Sequence, residues 1–483
     1  MPRELITVQV GQCGNQIGCR FWELALREHA AYNPSGVYDD ALSSFFRNVD
    51  QRQQPPLNLP VGNGMGAIQN LKARAVVVDM EEGVIQHMLK GPLSQLFDSQ
   101  QLLYDVSGAG NNWAHGHHGY GPQYREALLG RLQAAAEAAD SLQGFLLLHS
   151  LGGGTGSGLG TYLLGLLEDE FPEVFRFSAP VFPSEDDHVV TSPYNAALAA
   201  TCLVESASCV LPVENQALGA IAGRLEAATA KGTAAAGSSL GGPGAAKAGS
   251  SGKPAGGNAA AWDAMNGIAA NLLLHLTSSV RFEGTLNTDL NDITMNLVPF
   301  PRMHFLLSSL APLAAPKDMA QLAAPRNVDQ LFSDAFSREG QLLAADPRSA
   351  TCLATALMMR GRLSLSDAQR NIARLRPSLK MAHWNTEGFK LGLCSQPPVG
   401  LPYSLLCLSN NCCIADTFSA LMARFDKLYK RKIFVHHYTE YMEASGFEAA
   451  AECLNGLIAD YRQADGAGPA PVTRMRPRGL SFL

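Results

Sequence analysis

The stretch FLLLHSLGGGTGSG, Phe145 to Gly158, runs from an apolar segment through a glycine cluster into a helical pattern that reaches about Asp169. A short apolar run that ends in glycines and opens a helix reads as a strand, a loop and a helix in succession. Glycines let the backbone come close to an anion, and the free N–H groups at a helix start carry the positive end of its dipole. The loop therefore reads as a phosphate cradle. It is neither of the two common ones: no Lys followed by Ser or Thr closes it, and no part of it fits GxGxxG. Kinases, P-loop NTPases and ordinary dehydrogenases are disfavoured on that ground.

Working outward, two more loops follow β-rich runs in the same manner. Leu5 to Val10 leads into Gly11-Gln12-Cys13-Gly14-Asn15-Gln16 and a helix through Phe21, Trp22 and Leu24, and Leu102 to Val106 leads into Ser107-Gly108-Ala109-Gly110-Asn111-Asn112-Trp113. Further β-rich runs occupy Ala73 to Met80, Phe175 to Phe182 and Cys209 to Val213, alternating with helical patterns. That rhythm predicts a mostly parallel sheet with helices on both faces, which binds ligands beyond the carboxyl ends of its strands. Three such loops meeting at one point predict a polyphosphate site.

The chain has 483 residues, enough for two or three packed units. Its net charge of −6 leaves no electrostatic footprint for nucleic acid. No apolar run approaches the roughly 18 to 20 residues of a membrane span and the first ten residues lack a signal-peptide layout, so the expectation is a soluble intracellular protein. The ten cysteines include no CxxC pair, and Cys407, Cys412 and Cys413 are expected to be buried free thiols. His115, His117 and His118 lack a nearby fourth ligand and read as surface residues rather than a metal site.

Residues 229–261 are almost entirely Ala, Gly, Ser, Lys and Pro, with too little apolar surface to offset the cost of ordering, and are expected to be a disordered insertion. Trp262 to Val280 then reads as a long helix, followed by a second region with strands at Met303 to Leu310, Cys352 to Arg360 and Ser404 to Leu408. Two helices close the chain, about Thr417 to Lys430 and another whose apolar stripe is Phe447, Ala451, Leu454, Leu457, Ile458 and Tyr461. Gly466 to Leu483 contains no acidic residue and includes Arg474, Arg476 and Arg478.

The motifs GQCGNQ, SGAGNNW, GGGTGSG, LNTDL (Leu286 to Leu290) and NLVPFPR (Asn296 to Arg302) occur in order along most of the chain and together resemble the tubulin superfamily. Within that family, REHAA, SSFFRNVD, DMEEG, LEDEFPEVFRF, TSPYN, VRFEG and SDAFS, with the long insertion, are similar to the ε type. The resemblance implies an α/β fold: a parallel-sheet, Rossmann-like GTPase domain at 1–228, the insertion at 229–261, a connecting core helix at 262–281, an α+β intermediate domain at 282–411, a C-terminal helical hairpin at 412–465 and a basic, disordered tail at 466–483.

By that resemblance Gln12, Cys13, Asn111, Ser150, Gly153, Gly154, Thr155 and Gly156 would hold the phosphates of GTP or GDP. Asp79 and Glu81 would lie near Mg²⁺, a hard ion suited to carboxylates. Asn215 and Asn266 would read the base, with Gln16 close by and Trp262 stacked on the ring. Where α- and β-type tubulins carry a glutamate before Pro-Tyr-Asn this chain has Ser192, which leaves the ribose contact open between Asp186, Asp187 and neither. Asp289 and Asp292 would complete hydrolysis on the next subunit's nucleotide, or else serve as polar residues at a helix start. The implied partners are other tubulins, whether self, α/β- or δ-type, through longitudinal contacts, and centriolar proteins, with no nucleic acid and no membrane; the implied location is the cytoskeleton at a centrosome, centriole or basal body. The basic tail, unlike the glutamate-rich tails of α- and β-type tubulins, puts tail-directed motors and modifying enzymes in doubt.

Overall fold

The structure is a computed structural model, and it describes residues 3–52, 57–61, 68–184, 187–237, 257–313 and 328–468. A parallel sheet lies at the centre of the first half. Its strands run in the order Val213–Glu214, Phe175–Phe182, Leu142–Ser150, Glu4–Val10, Ala75–Asp79, Leu102–Tyr104, and Cys209–Val210 pairs with Phe175–Phe182 as well. Glu4–Val10 and Ala75–Asp79 are buried along their whole length, and Ala75–Asp79 accordingly reads as a continuous apolar run up to Asp79, whereas Glu4, Thr7 and Gln9 are buried polar residues within the first strand. Helices cover both faces, as a parallel sheet requires. Helix Gly11–Tyr32 and helix Gly257–Leu276 share one apolar cluster, and helices Gly121–Glu137, Gly160–Glu170 and Ser192–Ser206 share the other.

The second sheet runs Leu306–Ala311, Tyr403–Asn411, Cys352–Gly361, Phe389–Cys394, antiparallel except for the last pair. The sequence runs marked three of these strands; Phe389–Cys394 went unread. Backbone hydrogen bonds from Val210 to His304 and from Glu214 to Leu342 join the two sheets. The core is also tied by charge: Glu28 on the first helix meets Arg281 Nη2 at 2.6 Å and Arg360 Nη1 at 2.8 Å, all three side chains almost fully buried. Burial alone would raise the Glu28 pKa, but Arg360 and Arg281 pull it down to about 2.

Helix Ile414–Tyr429 and helix Ser445–Asp465 flank the short Val435–Thr439 and pack on Ser192–Ser206 through Tyr194, Phe425, Tyr438 and Phe447. The buried stripe of the last helix is Phe447, Ala450, Leu454, Leu457, Ile458 and Tyr461; Ala450, not Ala451, is its second member. Of the expected insertion, the backbone at 229–237 continues helix Asn215–Gly237 and that at 257–261 begins helix Gly257–Leu276; its middle, like the tail at 469–483, lies outside the described residues. Among the described residues no helix is long and apolar enough to cross a membrane. The ten cysteines are free, with Cys407, Cys412 and Cys413 buried.

Candidate nucleotide site

Three loops meet at the carboxyl ends of the central strands. Gly11 opens its helix with φ of +73°, and a side chain there would come within 3.0 Å of the Gly156 nitrogen, so the first loop and the glycine cluster are in backbone contact. Likewise a Cβ at Gly154 would lie 2.7 Å from the Asn112 nitrogen, and one at Gly158 would lie 2.3 Å from the Trp113 carbonyl oxygen. The second loop turns through Gly110 and Asn111 in the left-handed region, at φ of +56° and +53°. Residues 115–120 and 155–159 form wide π-helical turns that lie against each other, a deformation that recurs at binding sites.

This arrangement fits a polyphosphate. Helix Gly11–Tyr32 starts on Val10, and the turn at Thr155 starts on Gly154, neither with a side chain capping the free amides. Gly153, partly exposed, has only Asn111 Oδ1 and Ser150 Oγ near the space its Cβ would take, at 3.8 and 3.9 Å. Thr155, Ser150 and Cys13 are partly exposed around it, with Gln12, Gln16 and Asn111 exposed. Burial pushes the Cys13 thiol up to about 12, which keeps it uncharged at neutral pH.

Asp79 ends strand Ala75–Asp79 and is buried. Burial raises its pKa to about 6, against hydrogen bonds from Asn15 and from the backbone amides of Glu81 and Met80. A buried carboxylate so perturbed is well suited to a cation, whose charge would offset its desolvation. The Glu81 carboxylate lies against Gly108, with Oε1 2.3 Å from where a Cβ there would be. Two carboxylates, with water and phosphate oxygens for the rest, fit Mg²⁺ better than a metal that demands an all-protein cage. No group of three or more acidic, His or Cys ligands occurs among the described residues.

The residues expected to read the base lie on two helices that pack against each other. Asn215 heads the helix that follows edge strand Val213–Glu214, and one turn on Gly219 faces Met265 Sδ, 3.7 Å from its would-be Cβ. Met265 adjoins Asn266, and Trp262, one turn earlier on the same helix, is 49% exposed and available for stacking. Asp187 directs Oδ2 at Gly152, 3.0 Å from its would-be Cβ, beside Ser192, which is buried at the start of its helix. Asp186 lies outside the described residues.

Asp289 and Asp292 are elsewhere. Asp289 caps helix Leu290–Leu297: Oδ1 accepts from the Asp292 nitrogen at 2.7 Å, and Oδ2 meets Arg3 Nη1 at 2.7 Å. Asp292 Oδ1 lies 3.3 Å from Lys390 Nζ. Leu290, between them in the chain, packs by Gly144 near the start of strand Leu142–Ser150, 3.6 Å from a Cβ there. Roughly 20 Å of strand separates Gly144 from Ser150. The two acids therefore sit at the amino ends of the sheet, and the phosphate loops at its carboxyl ends.

Three residues with site roles had no such reading in the sequence. Asn15 donates to the Val78 carbonyl at 3.1 Å and to Asp79 at 3.4 Å, anchoring the first loop to the acidic strand end. His149 is buried with its pKa lowered to about 4 by desolvation. Its Nδ1 lies 2.9 Å from the Gly156 carbonyl, which can only accept, so Nδ1 carries the proton and Nε2 accepts from Ser178 Oγ at 2.9 Å. Asn195 bridges two of the loops. The only signal for these was their place inside motifs already noted. Of the three histidines His118 is exposed, as expected, while His115 and His117 are only partly so: His117 stacks on Trp113 at 4.5 Å and His115 on Tyr441 at 4.6 Å.

The tubulin/FtsZ family GTPase domain matches residues 4–223, and the tubulin C-terminal domain matches 301–423. This chain belongs to the tubulin family, whose GTPase domain implies binding of GTP or GDP. It is 53% identical to the tubulin epsilon chain of Mus musculus and to that of Homo sapiens, over 97% of this chain and 97% of each relative. It is 33% identical to the tubulin beta-2 chain of Suillus bovinus over 96% of both.

Proposed function

We propose that this protein is a GTP-binding structural subunit of the ε-tubulin type, acting at centrioles or basal bodies in the assembly and stability of doublet and triplet microtubules. Its phosphates would be held by the loops of Gln12, Asn111 and Gly153 to Gly156, its Mg²⁺ by Asp79 and Glu81, and its base by Asn215, Asn266, Gln16 and Trp262. Mg²⁺ would neutralise phosphate charge; the chain's own part is to orient the polyphosphate with backbone amides and to keep the cradle's floor dry and rigid. The single observation carrying this reading is the opposition of the two sites: acids at the amino ends of one sheet, phosphate loops at the other ends.

A carboxylate about 20 Å away along the strand cannot orient water at its own chain's nucleotide. Stacked head to tail, it can do so at a neighbour's, and the neighbour is then another tubulin, of its own or of α/β or δ type. Exposed Met295, Phe300 and Trp384 at the acidic end and Val106, Val190 and Phe434 at the nucleotide end support such stacking. The tested outcome is that purified protein binds GDP or GTP with Mg²⁺, and that Asp292→Ala leaves this affinity unchanged while slowing turnover in the assembled state by about 10² to 10⁴. Protein that binds neither nucleotide overturns the reading. A second reading, a cap that holds GTP without hydrolysing it, is favoured by one observation: Asp292 is already engaged by Lys390 and by its helix cap. Under it, assembled protein retains GTP and Asp292→Ala changes nothing.

A further inference from the structure

The helix that begins Ser192-Pro193-Tyr194 has proline in its first turn, where the missing N–H costs nothing. Asn195 follows, a poor helix former at a fully buried position. A carboxamide offers two donors and an acceptor with two lone pairs, and here all four are used. Oδ1 accepts from the Trp113 backbone nitrogen at 2.9 Å and from the Tyr438 hydroxyl at 2.6 Å. Nδ2 donates to the carbonyls of Asn111 and Gly152, both at 2.8 Å. The assignment of oxygen and nitrogen is forced, because three of the four partners are backbone groups of fixed polarity.

Each contact has a consequence at the cradle. In a trans peptide the N–H points opposite to the C=O, so holding the Gly152 carbonyl inward turns the Gly153 N–H outward. Asn111 stands in the left-handed region, uncommon for a residue with a side chain. Its carbonyl is fixed by Asn195 and, at 3.2 Å, by Thr191 Oγ1. One buried amide thus sets two loops that approach the ligand from different strands, while Tyr438 reaches it from the C-terminal helices.

We infer that Asn195 is the positioning residue for the polyphosphate end of the nucleotide site, aiming the Gly153 amide and holding the Asn111 turn, with Tyr438 bracing it from the C-terminal hairpin. This rests on the reading of the loops as a nucleotide site. Asn195 touches no ligand itself; its effect falls on phosphates and not on the base, whose readers are on other helices.

The test compares equilibrium affinities of the full-length protein for GDP and for guanosine. Asn195→Asp keeps the size and both acceptor contacts but turns a carboxylate oxygen on the Asn111 and Gly152 carbonyls. The expected result is that the preference for GDP over guanosine falls by about 10- to 100-fold while guanosine affinity holds. Tyr438→Phe, which removes one hydroxyl and keeps the ring, is expected to lower the same preference by a smaller factor, and it carries the test if Asn195→Asp fails to fold. Equal losses for GDP and guanosine, or an unchanged preference in a folded variant, overturn the inference and leave the nucleotide site standing. Wild-type protein that binds no GDP overturns the site and the inference together.

Discussion

At Gly154 a methyl group would meet backbone atoms on two sides, the Asn112 nitrogen at 2.7 Å and the Ala109 carbonyl oxygen at 2.9 Å, and neither can swing away as a side chain can. Gly165, inside helix Gly160–Glu170, would meet nothing within 4 Å. The same substitution therefore has opposite outcomes. Gly154→Ala separates two phosphate loops and is expected to weaken GDP binding at least about tenfold in a titration, the effect of roughly one lost charge-assisted contact. Gly165→Ala is expected to raise stability by about 0.5–1 kcal/mol in a denaturant melt, with binding unchanged. Gly154 and Gly165 look alike in composition; only their neighbours separate them.

Helix Leu290–Leu297 is short, and its start is organised by acids from both sides of the turn. The Asp289 carboxylate takes the Asp292 N–H, and Asp292 Oδ2 approaches the Asp289 nitrogen at 3.4 Å, a reciprocal cap that satisfies orphan amides. Asp289 also holds Arg3, which ties the helix to the chain just ahead of the first strand. Asp289→Ala is expected to cost about 1 kcal/mol by denaturant unfolding, the usual worth of such a cap. GDP affinity is expected to stay constant, since the helix lies at the far end of the sheet. An equal fall in nucleotide affinity would show that the two ends are not independent.

Across the whole molecule, Glu28, Arg281 and Arg360 join the first helix, the segment after the core helix and the second sheet at one buried point. Two guanidinium ions share one carboxylate there, helped by the Phe282 ring 4.8 Å from the Arg281 guanidinium. The folded pKa of Glu28, about 2, lies below its ordinary 4.5, so the unfolded chain takes up the proton first as pH falls. This contribution to stability is complete above about pH 4.5 and is lost as pH drops through about 2. Glu28→Gln strands two buried cations and is expected to cost about 3–5 kcal/mol, with the pH dependence of unfolding flattened in that window. A variant that melted with the wild-type pH profile would remove the triad from this role.

The strand ends, the glycine loops and the order of the elements could be read from the chain because each depends on local chemistry: apolar runs for buried strands, glycines where backbone meets backbone, helix starts left uncapped. The parallel sheet, the three loops and the tubulin kinship follow from that, and Gly153, Asn111 and Asp79 could be placed at strand ends on the same ground. Asn195, Asn15 and His149 were not, since a buried amide or imidazole acts through partners 7 to 243 residues away in sequence, and no spacing rule links them. That Asp289 and Asp292 lie away from their own phosphate loops was implied only by the resemblance and by no spacing, and that His117 stacks on Trp113 and His115 on Tyr441 was not implied at all. Those are matters of which end of a strand a loop joins and which rings come into register, and distance in space is settled only when the sheet has been laid down.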